Sequence, residues 1–161
     1  MGNECCTPDC DAEPDMMWPC ERCKHLSFCS KKCRRNYWPV HIFNCEGYSG
    51  SYTALQYLAH ACAGLYIPTD RQTRITFHFD RAAEKNKEHM LAGLYRGLIE
   101  LVGETPGKEV ADIEEWACQD TLVENIIAVY EGHKGRHAHA DYYAWFRNNQ
   151  WVVDDSLPIP K

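Results

Sequence analysis

The residues best equipped for chemistry lie in CERCKHLSFCSKKCRRNYWPVHIFNC, residues 20 to 45, where five cysteines and His41 are separated by two, five, three, seven and three residues. Cys5, Cys6 and Cys10 lie just upstream, so eight of the ten cysteines fall within the first 45 residues. Cys20 and Cys23 form a CxxC pair, which presents two thiolates from one tight turn at a separation that suits two corners of a zinc tetrahedron. Cys29 and Cys33 are four apart, as are His41 and Cys45. That spacing matches one face of a helix, so each pair can aim at one ion. A fourth pair comes from Cys10 with Cys6 or Cys5, and the shorter loop favours Cys6. Seven cysteines and one histidine make two complete tetrahedral sets. Closed four-ligand sites keep no position for water or substrate and are therefore structural. Thiolate with imidazole is the usual ligand set of zinc, which carries no redox liability.

A disulfide scaffold is the competing use of so many cysteines. The first ten residues, MGNECCTPDC, have no basic start and no apolar stretch of the kind that directs secretion. No apolar run approaches the ~20 residues of a bilayer span. The expected setting is intracellular, nucleus or cytoplasm, where thiols stay reduced and clustered cysteines bind metal.

The ligand order resembles that of the MYND zinc finger. Phe28, Cys29, Ser30, Cys33, Trp38, His41 and Cys45 stand where that family has a Cys-Ser-x-x-Cys step and a Trp shortly before the His. The resemblance covers about the first 45 residues; the HIT-type finger has a similar ligand order. It implies an interleaved arrangement in which one site takes Cys6, Cys10, Cys29 and Cys33, and the other Cys20, Cys23, His41 and Cys45. It also implies protein–protein interaction, as an adaptor or regulator that recognises a partner or short proline-containing peptides. The corresponding groove would use Arg34, Trp38 and Phe28. Two features depart from the family. Its first pair is usually CxxC, and its peptide-gripping members often have Gln after the second Cys of the step and Asp before the Trp, where this chain has Arg34 and Tyr37.

The basic run KKCRR invites a nucleic-acid reading, and arithmetic argues against it. Residues 1–50 hold six Lys or Arg and seven Asp or Glu. Two zinc ions add four positive charges and seven ionised thiols remove seven, leaving the head near −4, whereas phosphate recognition wants a net positive contact face.

Beyond Cys45 the composition changes, which places a boundary between a 1–48 zinc module and a 49–161 companion domain. Apolar residues at 55, 58, 59, 62, 65 and 66 predict a helix from Ser51 to Tyr66, stopped by Pro68. RITFHFD alternates and predicts a short strand with Ile75, Phe77 and Phe79 on one side. Long helices are predicted over 81–102 and 109–131, and a short aromatic helix ending near Asn148. The fold class is α+β, mostly helical, with a small cross-braced two-zinc module packed on the helical domain. Cys62 falls on an apolar helix face and reads as an inert core thiol, and Cys118 is read likewise.

One constellation outside the head could hold a catalytic metal. His137, His139 and Asp141 alternate in GHKGRHAHAD, and His-x-His with a carboxylate leaves coordination positions open. Such motifs in metallohydrolases continue with a further His, where this chain has Tyr142. The signatures of the SET domain, into which some MYND modules are inserted, are absent from the sequence, as are GxSxG and HExxH. The chain is read as a non-enzyme, with the His137 region as the alternative.

Overall fold

The computed structural model describes residues 5, 10, 16–41, 45, 53–133 and 140–161; within 31–41 the side chains of residues 35, 36 and 38–40 are outside that description. The chain divides into two compact units, residues 1–52 and 53–161.

The first unit is built on a minimal hairpin and one helix. Strands β1 (Trp18–Pro19) and β2 (Ser27–Phe28) pair antiparallel, with Trp18 opposite Phe28 and Pro19 opposite Ser27. A bond from the Cys20 N–H to the Leu26 carbonyl (2.8 Å) extends the ladder into the turn. Lys24 closes the turn at φ 61°, left-handed backbone that a side chain adopts at a cost. Helix α1 (Lys31–His41) follows directly and packs on both strands.

The second unit is helical throughout its described residues: α2 (Ala54–Ala63), α3 (Arg71–Thr76), α4 (Phe79–Ala83), α5 (Glu88–Gly103), α6 (Asp112–Cys118), α7 (Leu122–Gly132), α8 (Ala140–Arg147) and a 3-10 turn at Gln150–Val152. The start of α2 is set by Thr53. Its hydroxyl accepts the Gln56 N–H (3.2 Å) while the Gln56 side chain accepts the Thr53 N–H (2.7 Å), a reciprocal cap that satisfies two otherwise orphaned donors. Helix α5 is the central post. Leu91, Leu94, Tyr95, Leu98, Leu101 and Val102 recur at helical spacing and are buried, so α5 packs on α2, α4, α7 and α8. Two buried phenols around it are satisfied: the Tyr95 hydroxyl donates to the Phe77 carbonyl (2.9 Å) and Tyr130 of α7 to the Leu94 carbonyl (2.7 Å). Burial pushes both phenols above their ordinary range. Arg81 holds the C-terminal segment by donating to the carbonyls of Trp151 (2.9 Å) and Leu157 (2.6 Å).

Several sequence expectations are corrected here. The strand over RITFHFD is helical. The Asp70 carboxylate accepts the Thr73 N–H (3.0 Å) and starts α3, and His78 at φ 67° then turns the chain into α4. Phe77 and Phe79 are fully buried on either side of that turn, while Ile75 is 51% exposed, so the alternation mimics a strand without being one. The helix expected over 81–102 is interrupted between α4 and α5, and that over 109–131 between α6 and α7. Asn86 and Asp120 sit there at φ 56° and 57°. In each case an N–H one residue further on reaches back five residues, Lys87 to Ala82 and Thr121 to Trp116 (both 2.9 Å), which closes the preceding helix. Helix α2 ends the same way, with Leu65 at φ 60° and Tyr66 N–H bonded to the Ala61 carbonyl. The chain has thus turned before Pro68 is reached. The aromatic helix near the C-terminus is present as α8.

Candidate metal centres

Each pair of candidate ligands is aimed by a local device. Cys20 and Cys23 flank the hairpin turn, where the His25 N–H points at the Cys23 sulfur (3.4 Å). Cys29 and Cys33 straddle the start of α1. Between them Ser30 caps the helix, its hydroxyl accepting the Cys33 N–H (3.1 Å). The cap fixes the angle between the chain carrying Cys29 and the turn carrying Cys33, which explains the serine in the Cys-Ser-x-x-Cys step. His41 is the last residue of α1, and Cys45 lies four residues beyond.

The side chains converge as two sets of four: Cys5, Cys10, Cys29 and Cys33 in one, and Cys20, Cys23, His41 and Cys45 in the other, with the ligand atoms of each set within 4.8 Å of one another. Zinc–sulfur bonds of about 2.3 Å in a tetrahedron put neighbouring sulfurs about 3.8 Å apart. The sulfurs of Cys10 and Cys29 are 3.8 Å apart, those of Cys20 and Cys45 3.8 Å, and those of Cys29 and Cys33 3.5 Å. Cys23 Sγ lies 3.3 Å from His41 Nε2, on the slightly shorter edge that an imidazole gives. Spacing, donor type and separation all fit two structural zinc ions, which bound would cross-brace the hairpin, the N-terminal segment and α1.

The two centres differ in surroundings. Cys20, His41 and Cys45 are 3%, 4% and 6% exposed, whereas all four cysteines of the first set are half-buried. Burial alone would raise the Cys20 thiol; N–H groups of Cys23 and Arg22, with His41 and Cys23 side chains, outweigh it and bring the thiol down to about 6. Cys29 is pushed up to about 12, by burial first and then by the thiols of Cys33, Cys10 and Cys5, against the Ser30 hydroxyl. Crowded thiols resist ionising together, and a dication is what reverses that preference.

Residues 5–45 match the family model of the MYND finger. No curated protein and no solved structure matches the chain. The match covers the whole eight-ligand set and none of the helical unit.

The described ligands fall into the two interleaved sets that the resemblance implies. The first set includes Cys5; Cys6, the ligand that loop length favours, lies outside the described residues. Of the expected groove residues, Phe28 is 1% exposed and packs against Tyr37 with ring centroids 6.0 Å apart. Arg34 donates to the Pro19 carbonyl and to Glu21, both at 3.1 Å. The Trp38 side chain lies outside the described residues, as do His137 and His139, while Asp141 is exposed in the first turn of α8. Cys62 is buried, its thiol pushed up to about 12 by loss of water despite the opposing charge of Arg96. Cys118 is exposed, so it is no core thiol. The sequence reading passed over Trp18, which Lys31 and Arg34 approach at 4.9 and 5.9 Å from its ring.

Proposed function

We propose that the chain is a non-enzymatic adaptor or regulator whose MYND finger docks a partner protein through a short, proline-containing segment, in the nucleus or cytoplasm. The observation that carries this reading is the closure of both four-ligand sets within the matched residues. Closed sites hold shape and leave no coordination position for a substrate, so the finger's contribution is a surface. Among the described residues no helix is long and apolar enough to cross a membrane.

Trp38 is the natural platform for proline and aliphatic side chains, since a rigid indole offers a large area at low entropic cost. The deciding experiment is calorimetric titration of the zinc-loaded full chain with a panel of short proline-containing peptides. Binding by the native chain, lost in Trp38→Ala with two zinc ions retained, supports the reading. A panel without any binder, or binding indifferent to Trp38→Ala, removes the proposed peptide site.

A further inference from the structure

We infer that the hairpin turn and the first turn of α1 form a second docking surface on the finger, with Trp18 as its apolar floor and Lys31 and Lys32 as its contacts for the carboxylates of an acidic peptide segment. This rests on the finger being a protein-interaction module and adds the chemistry of what it takes.

The charge of the head is unevenly placed. Residues 1–15 carry five Asp or Glu and no Lys or Arg, whereas residues 16–41 carry six Lys or Arg and only Glu21. Within the described part Arg22 and Lys24 are exposed in the hairpin turn, and Lys31 and Lys32 are exposed at the start of α1. The first turn of α1 contains no acidic residue, although Asp and Glu are the residues favoured there and cations add to the positive end of the helix dipole. Trp18 is half-buried at the same place, with Lys31 Nζ 4.9 Å from its ring centroid. Arg34 is already committed to Glu21 and the Pro19 carbonyl, which fixes the edge of the patch rather than extending it.

A simpler use of these cations is to offset the thiolates beside them, and the magnitudes decide how far that goes. Seven thiolates with two zinc ions carry −3 together, against the +5 of residues 16–41. About two positive charges are left over on residues 16–41, while the head as a whole stays near −4 once the acids of residues 1–15 and Glu46 are counted. That local surplus suits two or three carboxylates of a peptide. It falls short of the roughly six to ten phosphates that nucleic-acid binders commonly neutralise, and the acidic first fifteen residues oppose a long polyanion further.

The test uses the zinc-loaded full chain and three fluorescent probes: a 12-residue peptide of Glu and Leu, an uncharged proline-containing peptide, and a 12-nucleotide single-stranded DNA. Anisotropy is followed at low and at moderate salt. The expected result is binding of the Glu/Leu peptide that weakens with salt and falls at least tenfold in the double variant K31E/K32E, zinc content staying at two per chain. If charge reversal reduces zinc content, K31Q/K32Q makes the same comparison. Unchanged affinity in a variant that keeps both ions overturns the inference, and so does tighter binding of the DNA with the same loss. Retained binding of the proline peptide, with no effect of the lysine variants, sinks this inference alone. Failure of the native chain to bind either peptide sinks the reading beneath it as well.

Discussion

At the scale of single residues, the adjacent Cys5 and Cys6 can be told apart by zinc content. Cys5 is drawn into the first cluster. Cys5→Ser is therefore expected to lower zinc from two ions per chain to one, and Cys6→Ser to leave two, as read by elemental analysis of protein purified without added metal. The opposite pattern would restore Cys6 as the ligand. The two outlying cysteines also separate. Cys118 is exposed and Cys62 buried, so a thiol reagent applied to the native zinc-loaded protein should label Cys118 quickly and Cys62 only on unfolding. Burial raises the Cys62 thiol from 9.0 to about 12. A raised pKa means the folded state holds the proton that the unfolded state gives up. Its stabilising effect is complete below pH 9 and is lost as pH climbs through 12, at roughly 1.4 kcal/mol per pH unit. Denaturant titrations of residues 53–161 between pH 8.5 and 10 should show that slope, and Cys62→Ala should remove it at a lower overall stability. Above pH 10 the buried tyrosines add losses of the same sign.

At the scale of elements, the helical unit is shaped by where helices stop. Leu65, 72% exposed at φ 60°, occupies a helix-terminating position that glycine adopts without strain. Leu65→Gly should raise stability by about 0.5–1 kcal/mol in urea titrations, the relief of left-handed strain exceeding the greater chain entropy of glycine. A loss would mean that Leu65 contributes packing its exposure does not reveal. The contact of α5 with α8 offers a sharper case. A Cβ at Gly93 would stand 2.3 Å from the Tyr142 ring. Gly93→Ala is expected to destabilise by about 1–3 kcal/mol. In a Tyr142→Ala background the same change should stabilise by up to about 1 kcal/mol, because alanine is the better helix former. A sign that does not reverse would place the clash elsewhere.

At the scale of the whole molecule, the finger and the helical unit draw on different sources of stability. Among the described residues the hairpin and α1 bury few large side chains, and a module of that size is held by its metal, on the order of 10 kcal/mol per ion. The helical unit has a continuous buried core from Leu55 to Val153. A strong chelator should remove the ordered signals of residues 16–45 in an amide NMR spectrum and leave a cooperative thermal transition from residues 53–161. Loss of both together would show that the helical unit needs the zinc-bound head to fold.

The sequence by itself determined the finger's metal and its ligand types, while the way its sites interleave came only from the resemblance to the MYND finger. Metal and ligand types follow from the chemistry of thiolate and imidazole at short, fixed spacings, and such spacings survive whatever the rest of the chain does. It also determined that the remainder is helical, because Leu91, Leu94, Leu98 and Leu101 repeat with the period of a helix. Tertiary structure decided the rest. Asn86 and Asp120 break two long apolar patterns by adopting left-handed backbone, which periodicity cannot register. Phe77 and Phe79 reach one core from opposite sides of a turn at His78, so a two-residue alternation that reads as a strand arises from the closing of two helices. In each of these cases the deciding quantity is a direction in space, set by neighbours far away in the chain.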